Sequence, residues 1–221
     1  MRVAALYDVH GMSWALEDVL ADVGDVDVVL FGGDLLHGPD PGRTVELARE
    51  AGDVLVRGNC EREPEEWDRS QLSEEDLQWL ASLAMAESLD GVLYCHATPR
   101  DDMPMTTVFT PDALIEERFA GCAERTFVIG HTHHQFDRRV GDLRVVNAGS
   151  VGMPYEDDVA AFWALVVDGE PELRRTPIDV DRATAALRAS AWPSAEEFLA
   201  ENVLVPASRE EAVAFFESQN D

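Results

Sequence analysis

The run Phe127-Val128-Ile129-Gly130-His131-Thr132-His133-His134 decides how the remaining sequence is read. Its first three residues form a short apolar stretch of the kind that makes a buried strand. Two histidines at i and i+2 just past a strand end point to the same side if the chain stays extended. His131 and His133 are thereby placed where two imidazole nitrogens reach one metal cluster, while His134 points the other way as a structural residue. A lone histidine here would read as an ordinary packing residue; a pair at this spacing points to a metal. Two ligands do not hold a catalytic metal, so carboxylates and further histidines are expected at other strand ends.

The length of 221 residues suits one sizeable domain, and a hydrophobic content of 46% marks a globular chain. No apolar run approaches membrane-spanning length. Met1 to Leu6 reaches Asp8 too soon for a signal peptide, so a cytoplasmic location is the expectation. The formal net charge of −27 argues against a duplex nucleic-acid binder, which needs a basic footprint. Lysine is absent. Either a biased genome or adaptation to salt accounts for such a composition. The 3 cysteines, Cys60, Cys95 and Cys122, are expected as free thiols.

From the N-terminus, Val3–Tyr7 reads as a buried strand ending in Asp8-Val9-His10-Gly11. Ser13 is expected to cap a helix carrying Leu16, Val19 and Leu20. A second strand, Val26–Phe31, ends in Gly32-Gly33-Asp34; a turn-rich loop from His37 leads to a helix over 42–50. A third strand, 54–57, ends in Gly58-Asn59-Cys60-Glu61. Ser73 with Asp76 forms a capping box before Leu77, Leu80 and Leu83. The strand 92–95 ends in His96, residues 101–110 read as a loop, and Pro111 opens a helix to about Phe119. After His134 come strands 136–140 and 143–146 around the hairpin signal Gly141-Asp142, a glycine-rich loop 147–152, and strands 160–167 and 173–176. Three helices, 179–189, 194–204 and 208–218, close the chain, the last with the capping box Ser208/Glu211. Strand–helix alternation followed by hairpins predicts mixed sheets covered by helices, with the site at the carboxyl ends of the strands.

Those strand ends supply Asp8, His10, Asp34, Asn59, His96, His131 and His133. Carboxylates, imidazoles and a carboxamide suit two borderline divalent ions, Mn, Fe, Zn, Ni or Co, with Mn favoured. Seven such groups are too many for one tetrahedral ion and fit a pair that shares a carboxylate, an arrangement that hydrolyses phosphoesters.

The blocks Asp8-Val9-His10, Gly33-Asp34, Gly58-Asn59-Cys60-Glu61, His96 and Gly130-His131-Thr132-His133 resemble, in order, those of the calcineurin-like metallophosphoesterase family. Gly38–Pro41 and Asn147–Gly152 further resemble its small bacterial and archaeal phosphodiesterase-like branch. The resemblance implies an α/β (α+β) fold, a four-layer α-β-β-α sandwich of two mixed sheets. The expected organisation is a single domain over 1–221, with a catalytic sandwich over 1–177 and a helical extension over 178–221. It implies one ion on Asp8, His10 and His133 and another on Asn59, His96 and His131. Asp34 would bridge them with a hydroxide that attacks in line. Asp34, Asn59 and His96 are the expected catalytic residues. Many relatives place histidine where Cys60 stands, so a cationic acid worth about 10²–10⁴ in rate is missing here. His37 and Arg100 are candidate replacements or phosphate contacts, and Asn147 and Ser150 are candidate borders of the cleft.

The expected activity is hydrolysis of a small phosphoester or nucleotide, a phosphodiester before a monoester, with no membrane or duplex nucleic-acid partner; the oligomeric state is open. Dinucleoside polyphosphate hydrolysis and protein serine/threonine dephosphorylation are alternatives within the class. A non-catalytic scaffold, as in a retromer subunit of the same fold, is the alternative outside it.

Overall fold

Strands built from Val, Ala, Leu and Phe pass through two stacked sheets and set their carboxyl ends along one rim. The computed structural model describes residues 1–219. In chain order the strands are β1 (Arg2–Leu6), β2 (Val28–Phe31), β3 (Val54–Leu55), β4 (Ala86–Leu89), β5 (Val92–Cys95), β6 (Thr126–Ile129), β7 (Phe136–Val140), β8 (Leu143–Asn147), β9 (Ala160–Val167) and β10 (Glu170–Pro177). The helices are α1 (Ser13–Asp22), α2 (Pro41–Ala51), α3 (Asn59–Arg62), α4 (Glu66–Gln71), α5 (Glu74–Ala81), α6 (Asp112–Arg118), α7 (Val180–Ala189), α8 (Ala195–Phe198) and α9 (Arg209–Ser218).

The first sheet has the order β10-β9-β1-β2-β3 and the second β4-β5-β6-β8-β7. Both are mixed: β1, β2 and β3 run parallel, as do β5, β6 and β8, and antiparallel strands complete each sheet. The register Leu6↔Phe31 and Phe31↔Leu55 ends the parallel strands of the first sheet level with one another. Tyr94↔Val128 aligns β5 with β6 in the second.

Because β1 is buried on both faces, its alternating side chains serve two cores. Val3, Ala5 and Tyr7 meet Val92, Tyr94, Val128 and Ala148 between the sheets. Ala4 and Leu6 turn outward with Phe31 and Trp163 under α1 and α2. A third cluster packs Ile115 and Phe119 of α6 against Phe127, Ile129 and Val145 on the far side. The result is four layers, helix, sheet, sheet, helix. The Tyr7 hydroxyl donates to Val128 O (2.8 Å), tying the two sheets together next to the rim.

The helices after β10 add Ala183, Leu187, Phe198, Leu199 and Val203 to the outer core of the first sheet. The last two residues of the 178–221 extension lie outside the described residues. No helix among the described residues is long and apolar enough to cross a membrane.

Several local expectations need correction. Ser13 is the first helical residue and makes no cap; its hydroxyl instead donates to Asp40 (2.7 Å). Asp40 itself caps α2 through Arg43 N. The strand β4 was not expected, because Ala-Glu-Ser-Leu at a sheet edge has no apolar alternation. Its signal was Asp90-Gly91, both at positive φ (52° and 79°), a hairpin turn leading into β5. β10 is longer than 173–176 because it pairs with β9 along its whole length. The helix expected over 194–204 breaks into α8 and a π-helical turn, Leu199–Val203. All three cysteines are free thiols.

Surface arginines pair with neighbouring carboxylates, as Arg144 does with Asp137 and Glu170, yet acids remain in large excess. Raising salt from about 0.05 to 1 M shortens the Debye length from more than about 10 Å to about 3 Å. The melting temperature is therefore expected to rise over that range in thermal scans. A flat response would mean that the acidic surface carries no folding penalty.

Candidate metal centre

The residues singled out in the sequence emerge from the ends of β1, β2, β3, β5 and β6 and converge. Backbone hydrogen bonds lock their loops together: Asp8 N donates to Gly33 O (3.1 Å), His10 N to Asp34 O (3.0 Å) and Gly130 N to His96 O (2.9 Å). The chain does not stay extended past these strands. Asp8, His10, Asp34, His131 and His133 all have left-handed backbone, with φ between 46° and 69°. Such conformations cost non-glycine residues about 1–3 kcal/mol each, and they cluster at functional sites. His131 and His133 consequently serve two different groups rather than one side of a strand.

The first group is Asp8, His10 and His133; the second is Asp34, His96 and His131, with ligand atoms within 4.8 Å of one another in each. His10 Nε2 lies 3.1 Å from His133 Nε2, and His96 Nε2 lies 3.0 Å from His131 Nδ1. Asn59 Oδ1 is 3.1 Å from His96 Nε2. Asp34 Oδ2 stands between the groups, 3.4 Å from His96 Nε2 and 3.9 Å from His10 Nε2.

Each histidine is oriented by a backbone carbonyl. His10 Nδ1 faces Leu36 O (2.9 Å), His96 Nδ1 faces Gly32 O (3.1 Å), His133 Nδ1 faces Met153 O (2.8 Å) and His131 Nε2 faces Met103 O (3.1 Å). A carbonyl only accepts, so the ring nitrogen beside it must donate. The remaining nitrogen of a neutral ring therefore turns a lone pair inward, as at His10 and His131, while that of His96 faces Asp34 Oδ2. Rings so held from behind are a pattern found around metal-ligating histidines.

The carboxylates are held from outside in the same way. Asp8 Oδ2 accepts from His131 N (2.8 Å), while Asp8 Oδ1 is buried with no hydrogen-bond partner among the described residues. Asp34 Oδ1 accepts from Cys60 N (2.9 Å). Glu61, fully buried, accepts from Asp34 N (2.9 Å), Leu35 N (2.7 Å) and Gly58 N (2.8 Å), clamping the loops after β2 and β3. Burial and the nearby Asp34 charge raise its pKa to about 7.

Burial, then His133, lowers the pKa of His10 to about 4; burial, then His96, lowers His131 to about 4. Burial also disfavours charge on His96, but Asp34 and Asp8 outweigh it and raise that pKa to about 10. Two carboxylates, a carboxamide oxygen and inward lone pairs form a pocket of acceptors that calls for cations. Imidazoles sharing one ion at about 2.0–2.1 Å have nitrogens about 3 Å apart, close to the separations here. The donor set thus fits divalent ions.

Cys60 lies with His10 and Asp34 at ligand distance, 2% exposed. Burial and the Asp34 charge push its thiol well above the ordinary range. His37 is directed elsewhere: its Nε2 donates to Glu63 O (3.1 Å) and lies 3.6 Å from Asp68. Arg100 caps α6, donating to the carbonyls of Ala120, Arg118 and Glu117 (2.6, 3.1 and 3.2 Å). His134 is buried, its Nδ1 on Thr132 O (2.9 Å). Asn147 and Ser150 brace loops, Asn147 Nδ2 donating to Gly130 O (2.7 Å) and Ser150 Oγ to Asp8 O (2.7 Å). Two residues had no expected role. Glu61 stands inside the block Gly58-Asn59-Cys60-Glu61, and that position was the available signal. Tyr155, whose ring stacks on His133 (5.2 Å between centroids, 15°), had none.

The model of the calcineurin-like phosphoesterase superfamily domain matches residues 1–170. Among solved structures, a metallophosphoesterase from Sphaerobacter thermophilus is similar with a TM-score of 0.80 at 24% identity, covering 94% of this chain and 100% of that one. A phosphoesterase from E. coli gives 0.50 at 21%, covering 81% and 100%. A protein serine/threonine phosphatase from Saccharomyces cerevisiae gives 0.54 at 15%, covering 81% and 80%. At these identities the likeness is one of fold. No curated protein matches the chain.

Proposed function

The chain belongs to the calcineurin-like phosphoesterase superfamily, and from that premise we propose that it is a dinuclear metal-dependent phosphoesterase acting on phosphodiesters before monoesters. Asp8, His10 and His133 would hold one divalent ion and Asn59, His96 and His131 the other, with Asp34 shared; Mn is the favoured metal. When bound, such a pair neutralises charge on the phosphoryl oxygens and makes a water acidic enough to attack phosphorus. The chain's own part is to orient: the carbonyls of Leu36, Gly32, Met153 and Met103 aim the imidazoles, and Glu61 seats Asp34. We also propose that residues 1–177 and the extension 178–221 fold as one domain.

The observation that carries the reading is that His10 and His133 gather at Asp8, whose buried Oδ1 has no hydrogen-bond partner among the described residues, while His96 and His131 gather at Asp34. Protein stripped with a chelator and titrated with Mn²⁺ is expected to take up two equivalents and to melt higher. An ion at a hundred times its Kd adds about 2.7 kcal/mol. Unchanged melting with fewer than two bound equivalents would sink the proposal.

Cys60 supports the diester preference. A buried neutral thiol is a poor proton donor to a leaving oxygen, so esters with acidic leaving groups are favoured. A diester also carries less charge than a monoester dianion. Bis-nitrophenyl phosphate is expected to be cleaved faster than nitrophenyl phosphate, and Cys60→Ala to change diester turnover little. Complete loss of that turnover, with metals retained, would give the thiol a chemical role.

A further inference from the structure

The helix α9 lies beyond residue 170, where the family domain ends, yet it reaches both loops that orient the second histidine of each group. Near its C-terminal end Glu217 accepts from the hydroxyls of Thr107 and Thr110 (3.1 Å from the latter), both fully buried. These threonines also close the loop on itself, Thr107 N donating to Thr110 Oγ1 (2.8 Å) and Phe109 N to Thr107 Oγ1 (3.1 Å). The preceding part of that loop holds the histidine run. Met103 O receives His131, and Thr106 O accepts from the Thr132 hydroxyl (3.0 Å). Arg118 of α6 grips the same segment from another side, donating to Met105 O (2.9 Å) and Thr106 Oγ1 (3.0 Å).

At its other end α9 holds the neighbouring loop. Arg209 donates to Gln135 O (2.6 Å) and to Glu156 (2.7 Å), and Glu156 in turn accepts from Gln135 N. Asp157 N donates to Ala207 O (3.1 Å) just before the helix. This segment supplies the Met153 carbonyl that orients His133 and the Tyr155 ring that stacks on it. Phe216 of α9 stands behind Tyr155, 5.9 Å between centroids.

We propose that α9 is a strap across the metal centre, in which Glu217 is a positioning residue for His131 and Arg209 a positioning residue for His133. Each end of the helix then sets the affinity of a different ion. The inference rests on the two-ion reading above. Carbonyl acceptors decide where an imidazole points, and groups outside the ligands change metal affinity by about 10–100-fold. Glu217 and Arg209 act further out, through the loops that carry Met103 and Met153, so an effect at the low end, about tenfold, is expected.

The test uses the full-length protein, freed of metal and titrated with Mn²⁺ by calorimetry, with melting of the metal-free form recorded in parallel. Wild type should show two binding events. Glu217→Met should weaken one about tenfold and spare the other, and Arg209→Met should weaken the one that Glu217→Met spares. Thr107→Val with Thr110→Val should reproduce the Glu217→Met result from the loop side and add little to it. That pair carries the test alone if Glu217→Met does not fold. Two events that shift equally in every variant, or that never shift, overturn the strap and leave the two-ion reading standing. A wild-type protein that takes up fewer than two ions overturns the two-ion reading and the strap with it.

Discussion

Asp34→Asn is expected to lower the occupancy of both ion sites and to reduce turnover by three decades or more, about 4 kcal/mol of transition-state stabilisation. The expectation follows from the two jobs of this carboxylate. One oxygen accepts from Cys60 N at 2.9 Å; the other lies between His96 and His10, one histidine from each group. An asparagine has a single acceptor oxygen. If that oxygen stays on the Cys60 amide, the NH₂ group faces the centre and meets cations with hydrogens. If it turns inward, two N–H groups oppose each other at Cys60. Either way the centre also loses a negative charge. Metal analysis beside a chromogenic diester assay measures both effects. Near-normal metal content and turnover would remove Asp34 from the shared position.

Gly58→Ala is expected to have the second-largest effect, although alanine is an ordinary residue for this backbone. Gly58 has φ −97° and ψ −173°, so no conformational objection arises. The objection is steric: an added methyl would lie 2.1 Å from Asp34 Oδ1 and 2.7 Å from Asp34 N. Gly58 cannot retreat, because its amide is held by the buried Glu61. Overpacking of this kind costs about 1–3 kcal/mol of stability, and here the displaced group is the carboxylate itself. Loss of metal and a lower melting temperature should appear together. Gly42→Ala serves as control, since a methyl there meets only Gln71 O at 3.6 Å and should change neither. A Gly58→Ala protein with full metal content would show that the loop gives way.

The elements read directly from the sequence are those whose burial leaves a pattern. Strands such as β6 and β9 are covered on both faces, so their residues are apolar without interruption and could be placed closely. The edge strand β4 has little to bury and left no pattern. Arg100 reads equally well as an anion contact or a salt-bridge partner, but three carbonyls at the end of α6 claim it. That distinction depends on how a loop folds over a helix, and no spacing encodes it.

By itself the sequence determined which residues gather at the centre, because a metal demands particular side-chain types and parallel strands deliver them at one rim. The resemblance also implied how they divide; only the tertiary structure decided what aims each of them. His131 and His133 part company because left-handed turns follow the strand, and the rings are aimed by the carbonyls of Gly32, Leu36, Met103 and Met153. Every residue carries a carbonyl, so no residue type marks those partners. Long-range packing alone brings each one to its imidazole.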